Sequence, residues 1–233
     1  MGKFRRLPLI DSLRGFAMVI MAIYHFCFDL NTFAVIHQNF NYDFSWLTFR
    51  AIIMSLFTGL AGVGFYLGHA KFSSRSFSKR LYKLIACASL ISIVTYFMYP
   101  RSWVFFGIIH FMVIASLLGP LLVRIPKFCL PLGIFLIALP NYFTHEIFRG
   151  SFLISSGLSP VKPNTEDFAP LCPWLGVVLI GVFIGYVIEN KNWKVLFKES
   201  KALSFLGHHS LVFYMTHQLV LFPLAWLVSI LVK

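Results

Sequence analysis

The 233-residue chain is 58% apolar and 18% aromatic but only 12% charged, about half the charged share of a soluble domain. Its net charge of +12 is dispersed among short loops between apolar blocks, so it builds no exposed basic face for a nucleic acid. The blocks run to about 18 residues or more, enough to cross roughly 30 Å of hydrocarbon, which excludes a soluble fold.

The apolar blocks predict an all-α, polytopic transmembrane helix bundle of about seven helices, forming one domain over residues 1–233. The helices are expected at about 9–30, 47–68, 80–99, 102–123, 128–144, 168–189 and 203–231. The basic start, Met1 to Arg6, resembles that of a signal peptide, but the apolar run after it carries Asp11, Arg14, His25 and Asp29 and no small-residue cleavage site. It reads as a retained first helix. The fifth block holds Pro131 and Pro140 and is read as kinked or re-entrant. Gly64 with Gly68, and Gly181 with Gly185, have the spacing of close helix contacts. Cys27, Cys87, Cys129 and Cys172 fall in different blocks with no metal-ligand spacing, so no metal is expected.

Loop charge sets the orientation. Lys3, Arg5, Arg6, Lys71, Arg75, Lys79, Arg80, Lys83, Arg124, Lys127, Lys191, Lys194, Lys198 and Lys201 fall on one side. Arg50, Arg101, Arg149, Lys162 and Lys233 fall on the other. Fourteen against five predicts an N-in, C-out protein of the inner (cytoplasmic) membrane by the positive-inside rule. Two longer outer loops follow, at about 31–46 with His37, Asn39, Asn41, Asp43 and Trp46, and at about 145–167 with His145, Glu146, Arg149, Glu166 and Asp167. Their polar and aromatic content suits either sugar contact or ordinary solvation.

Ionisable groups inside hydrocarbon cost at least about 2.5–3.5 kcal/mol each, and they commonly mark a site. In the first helix Asp11 and Arg14 are i,i+3, His25 and Asp29 are i,i+4, and Arg14 to His25 is eleven residues. At 100° per residue all four share a stripe, with the two pairs about 16 Å apart in depth. His110 and His217 are expected at a depth like that of His25, although each alone also reads as a packing histidine. Gly207, Ser210, Tyr214 and His217 share a face of the last helix, where Ser210 and Tyr214 either line the approach to His217 or bond between helices. His208 and His209 are expected near the cytoplasmic interface.

Several of these motifs bring a family into view. Ile-Asp11-Ser-Leu-Arg14-Gly-Phe-Ala followed by His25-Phe-Cys-Phe-Asp29-Leu resembles the first helix of heparan-α-glucosaminide N-acetyltransferase-like membrane proteins. Gly107-Ile-Ile-His110-Phe resembles the fourth-helix motif of that family, and Pro170-Leu-Cys-Pro173-Trp174-Leu-Gly176 resembles its PWLG helix. Phe205-Leu-Gly207-His-His-Ser210 with Tyr214, His217 and Gln218 is similar to its closing helix. The Arg14-x(10)-His25 spacing is also similar to that of membrane O-acyltransferases of bacterial surface polysaccharides. The matches run from first helix to last. They differ from the animal lysosomal enzyme in a much shorter chain, and in a histidine at 25 where that enzyme has a polar amide.

What the resemblance implies is acetyl transfer from cytoplasmic acetyl-CoA, a co-substrate, to a sugar amine or hydroxyl on the outer side of the membrane. Such chemistry needs a base at the acceptor and stabilisation of the oxyanion. His25 is the expected general base or acyl carrier, with Asp29 orienting it or standing solvated at the interface. His110 and His217 would bond the acceptor or the oxyanion. Asp11 and Arg14 would meet the pantetheine arm or pyrophosphate, or form a structural pair. Ser210, Tyr214 and Trp174 are substrate-side candidates. Arg80 and Lys83 are candidate phosphate contacts, though positive-inside charge also accounts for them. Neither haem nor metal is expected, and the oligomeric state is left open. The competing readings are a proton-coupled transporter, a haem or quinone protein, and a non-catalytic component of a polysaccharide pathway.

Overall fold

A computed structural model describes residues 8–69, 73–150, 152–191 and 200–232. The basic N-terminal segment through Arg6 and residues Lys71, Lys194, Lys198 and Lys233 therefore lie outside the described residues. Among the described residues there are eight α-helices and no strand. They are α1 (Pro8–Thr32), α2 (Phe44–Gly68), α3 (Ser74–Met98), α4 (Ile108–Leu122), α5 (Pro126–Tyr142), α6 (Leu171–Asn190), α7 (Lys201–His208) and α8 (Ser210–Val232). Helices α1, α2, α3, α6 and α8 are long and apolar enough to cross a membrane, whereas α4 is an apolar helix of 15 residues. The all-α, multi-pass class expected from the blocks is the one observed.

The chain divides into two compact units, one of residues 1–60 with 194–233 and one of residues 61–193. In the first, α1 packs against α7 and α8. The contact with α7 is backbone-close because Gly15 and Gly207 leave room for it. A Cβ on Gly15 would fall on the Leu203 carbonyl, and one on Gly207 on the Asp11 carbonyl. The unit's core gathers Met18, Met21, Tyr24, Phe40 and Ile53, flanked by Trp46, Phe49, Phe213 and Tyr214. Phe16, Val19 and Ile23, on a different face of α1 from Arg14 and His25, are exposed apolar side chains, as a lipid-facing surface requires.

The loop after α1 folds back on this core. Trp46 stacks on Phe40 at 4.2 Å, and its indole N–H donates to Gln38 Oε1 at 3.3 Å. Asn31 Oδ1 accepts from the Gln38 amide at 2.7 Å. The loop's aromatic residues Phe40 and Trp46 are thus engaged in packing, while His37, Asn39, Asn41 and Asp43 are exposed.

In the second unit α5 crosses α6 at another glycine pair. A Cβ on Gly133 would lie 2.7 Å from the Gly176 carbonyl oxygen, and one on Gly176 would lie 2.5 Å from that of Gly133. Helix α5 runs unbroken over 17 residues with Pro131 and Pro140 inside it. Phe111, Ala115, Cys129, Val178, Leu179 and Val182 form a closely buried core. Of the glycines singled out by spacing, Gly185 makes a tight approach to Tyr66 and Val63, but Gly68 faces open space.

Two helix boundaries depart from the expected ones. The fourth helix starts at Ile108 rather than near 102 because residues 102–107 are non-helical and dock on the loop before α6. The Glu166 amide donates to the Ser102 carbonyl at 2.9 Å and the Ala169 amide to that of Phe106 at 3.1 Å, with a bridge between Phe106 and Phe168. The last apolar block is interrupted at His209, so it forms α7 and α8 instead of one helix.

Candidate functional site

The first unit brings two of the sequence-expected histidines together. The rings of His25 on α1 and His217 on α8 meet with centroids 5.0 Å apart and planes at 60°. One turn further along α1, Asp29 Oδ1 accepts from Gln218 Nε2 at 3.3 Å. Two cross-helix polar pairs therefore stand on successive turns of α1, between α1 and α8. Periodicity explains the pairing, since residues 25 and 29 are one turn apart on the same face. Asp29 is 3% exposed and His217 8%, so neither draws on bulk water.

One hydrogen bond fixes which ring nitrogen of His217 carries a proton. His217 Nδ1 lies 2.7 Å from the Tyr214 carbonyl. A carbonyl only accepts, so Nδ1 carries a proton, and in the neutral ring Nε2 then presents a lone pair. Among the described residues that Nε2 is buried without a partner, as are Asp29 Oδ2 and Gln218 Oε1. Buried polar atoms are almost always satisfied, and each exception calls for an explanation. All three orphaned atoms are acceptors. This polar region between α1 and α8 needs hydrogen-bond donors.

His25 hydrogen-bonds to no described residue; its neighbours are the His217 ring and, edge-on at 5.8 Å, that of Tyr24. Asp29 is bonded to Gln218 rather than to His25. Tyr214 sits beside His217 with centroids 5.7 Å apart, and Ser210 begins α8 half-buried. Gln218 was not among the site residues expected from sequence. The available signal was an amide in a predominantly apolar span, which in hydrocarbon needs a partner.

The Asp11–Arg14 pair lies toward the N-terminal end of α1. Arg14 Nη1 donates to Asp11 Oδ1 at 3.1 Å, and Nη2 donates to the Leu60 carbonyl at 3.5 Å. Because Gly207 admits the Asp11 backbone, the pair is held directly against α7.

The remaining candidates belong to the second unit. His110 stands in the first turn of α4 rather than some eight residues deep, a consequence of the late helix start. The Gly107 amide donates to its Nδ1 at 3.3 Å, and its Nε2 lies 3.0 Å from Ser92 Oγ. With Nδ1 accepting, Nε2–H donates to Ser92, whose own hydroxyl donates to the Val104 carbonyl at 2.7 Å. Both ring nitrogens are consumed in tying α3 to the start of α4. Asp167 Oδ2 accepts from the Ile108 amide at 2.9 Å, and Glu166 Oε1 accepts from Ser102 at 2.5 Å. The paired carboxylates of the loop before α6 thus cap and dock structure. Trp174 is half-buried in α6, Lys83 is exposed on α3, and Arg80 lies over the Phe65 ring at 5.2 Å. Among the described residues no group of three His, Cys, Asp or Glu side chains is placed to hold a metal ion.

Comparison with known families agrees with the motifs. The family model described as heparan-alpha-glucosaminide N-acetyltransferase, catalytic, matches residues 6–219, a span from ahead of Asp11 to just beyond Gln218. No curated protein and no solved structure matched the chain. With the family's span covering nearly all of it, the chain belongs to the membrane acetyltransferase family of the heparan-alpha-glucosaminide N-acetyltransferase catalytic domain.

Proposed function

We propose that this protein transfers an acetyl group from cytoplasmic acetyl-CoA to a sugar amine or hydroxyl at the outer side of the inner membrane, with the N-terminus inside and the C-terminus outside. The observation that carries the proposal is the orphaned Nε2 of His217, a buried lone pair fixed in place by Nδ1–H donation to Tyr214. A base must be within reach of the proton it removes and in the right tautomer, and this ring meets the second condition before any substrate arrives.

In the proposed reaction His217 Nε2 accepts a proton from the acceptor as its nitrogen or oxygen attacks the thioester carbon. The tetrahedral intermediate collapses, the C–S bond breaks, and the CoA thiolate takes the proton from the imidazolium. His25 is assigned to the same centre, where a neutral N–H would donate to the thioester oxyanion. Arg14, oriented by Asp11, is assigned to the pantetheine or pyrophosphate of the donor. His110, Trp174, Arg80 and Lys83 enter no step of this mechanism.

A buried carboxylate beside histidines also supports a proton-coupled transporter. The two readings part in a simple assay. Purified protein is incubated with radiolabelled acetyl-CoA, with and without glucosamine, in wild-type and His217→Gln forms. Acceptor-dependent CoA release that is lost in the variant supports the transferase. Solute flux through proteoliposomes with no acetylated product would replace it with the transporter.

A further inference from the structure

We propose that Asp29 and Gln218 form a subsite that reads a ring hydroxyl of the sugar acceptor next to its reacting group; this rests on the transferase reading. Gln218 Nε2 is committed to Asp29 Oδ1, which turns the carboxamide oxygen away from that bond. Asp29 Oδ2 and Gln218 Oε1 are then two acceptors on one hydrogen-bonded pair, both buried and both without a donor among the described residues. An unmet buried acceptor costs more than a made hydrogen bond returns, so an empty pair of this kind favours a ligand carrying donors.

Position separates this pair from the reaction centre. His25 and Asp29 are one helical turn apart, or about 6 Å along α1. A group bound by His217 at one level leaves the next turn of α1 for a second group of the same molecule. A lone amine or hydroxyl would satisfy His217 alone. A polyhydroxylated ring carries further O–H donors and satisfies both levels. The Asp29 carboxylate is held by Gln218 and not by His25, which frees Asp29 from the task of orienting an imidazole and leaves it for substrate. Gln218 becomes the residue that discriminates a sugar from a simple amine.

The test compares glucosamine with cyclohexylamine, which keeps a ring amine but has no hydroxyls, as acceptors for wild-type, Gln218→Met and Asp29→Asn proteins. KM and kcat are measured for each, and melting temperature is recorded as a folding control. The expected result is a wild-type KM at least about 10-fold lower for glucosamine, since a hydrogen bond to a charged group is worth about 1.5–3 kcal/mol. Asp29→Asn, which removes the charge, should remove most of that difference by raising KM for glucosamine alone, and Gln218→Met should remove part of it, with kcat changed far less in both. Equilibrium binding of glucosamine and cyclohexylamine to the wild type gives a second measurement that needs no variant. Equal affinity for the two probes, or an unchanged preference in a folded Gln218→Met protein, overturns the subsite while leaving the transferase standing. Selective glucosamine binding without transfer overturns the transferase and keeps the subsite. Neither binding nor transfer removes both.

Discussion

Gly207 of α7 presents its missing side chain to the backbone carbonyl of Asp11 on α1. This contact decides where the Asp11–Arg14 pair stands, because Arg14 takes its orientation from Asp11 at 3.1 Å. A methyl group at 207 has only backbone to displace. Gly207→Ala should therefore force α7 off α1 at a cost of about 1–3 kcal/mol, the usual range for overpacking. A thermal melt in detergent reads the loss. An unchanged melting temperature would show that the two helices do not meet at this point. The reciprocal Gly15→Ala change should behave in the same way.

Much of this was legible in the sequence. Apolar block length gave the helices, and the charged residues of α1 gave the polar stripe. The stripe's partners were harder to read. Gln218 lies one position past His217, and helical periodicity points the two side chains about 100° apart. Only the approach of α8 to α1 shows that both positions face that helix. His110 carried the opposite signal. A histidine inside an apolar block reads either as buried chemistry or as packing, and here its two nitrogens serve Gly107 and Ser92 because a non-helical segment starts α4 late. Pairing between residues 102–107 and 164–169 is a long-range event, and no local pattern announces it.

Asp167 tests that second unit. Its carboxylate accepts the Ile108 amide at the start of α4, and loss of a capping acceptor costs about 1 kcal/mol. Asp167→Ala should lower the melting temperature by a few degrees and release the loop of residues 143–170 to limited proteolysis. A loop that resists protease as well as the wild type would mean that Asp167 does not hold it.

Orientation can be checked without any activity. All four cysteines are free thiols, so a cysteine-free background is needed first. Tyr42 is 81% exposed in the loop after α1, and Arg75 is exposed at the start of α3. In intact cells an impermeant maleimide should label Tyr42→Cys and leave Arg75→Cys unlabelled until the membrane is permeabilised. The reverse pattern would invert the N-in assignment, and the sugar would then have to reach the site from the cytoplasm.

The two histidines of the site should differ in how they fail. His217 holds its proton on Nδ1 through Tyr214 and offers Nε2 as the base, and general-base catalysis contributes about 10²–10⁴-fold. His217→Gln should lower kcat by at least about 100-fold with little change in KM for acetyl-CoA, because the lost interaction acts in the transition state. His25 faces His217 at 5.0 Å without a hydrogen bond to any described residue. His25→Asn keeps a donor for the oxyanion and should retain more activity than His25→Leu, which keeps none. If both His25 variants are equally inactive while His217→Gln transfers at the wild-type rate, the base is His25, and the lone pair on His217 serves binding instead. The sign of that comparison depends on the tautomer that Tyr214 imposes, a constraint that one carbonyl at 2.7 Å is enough to set.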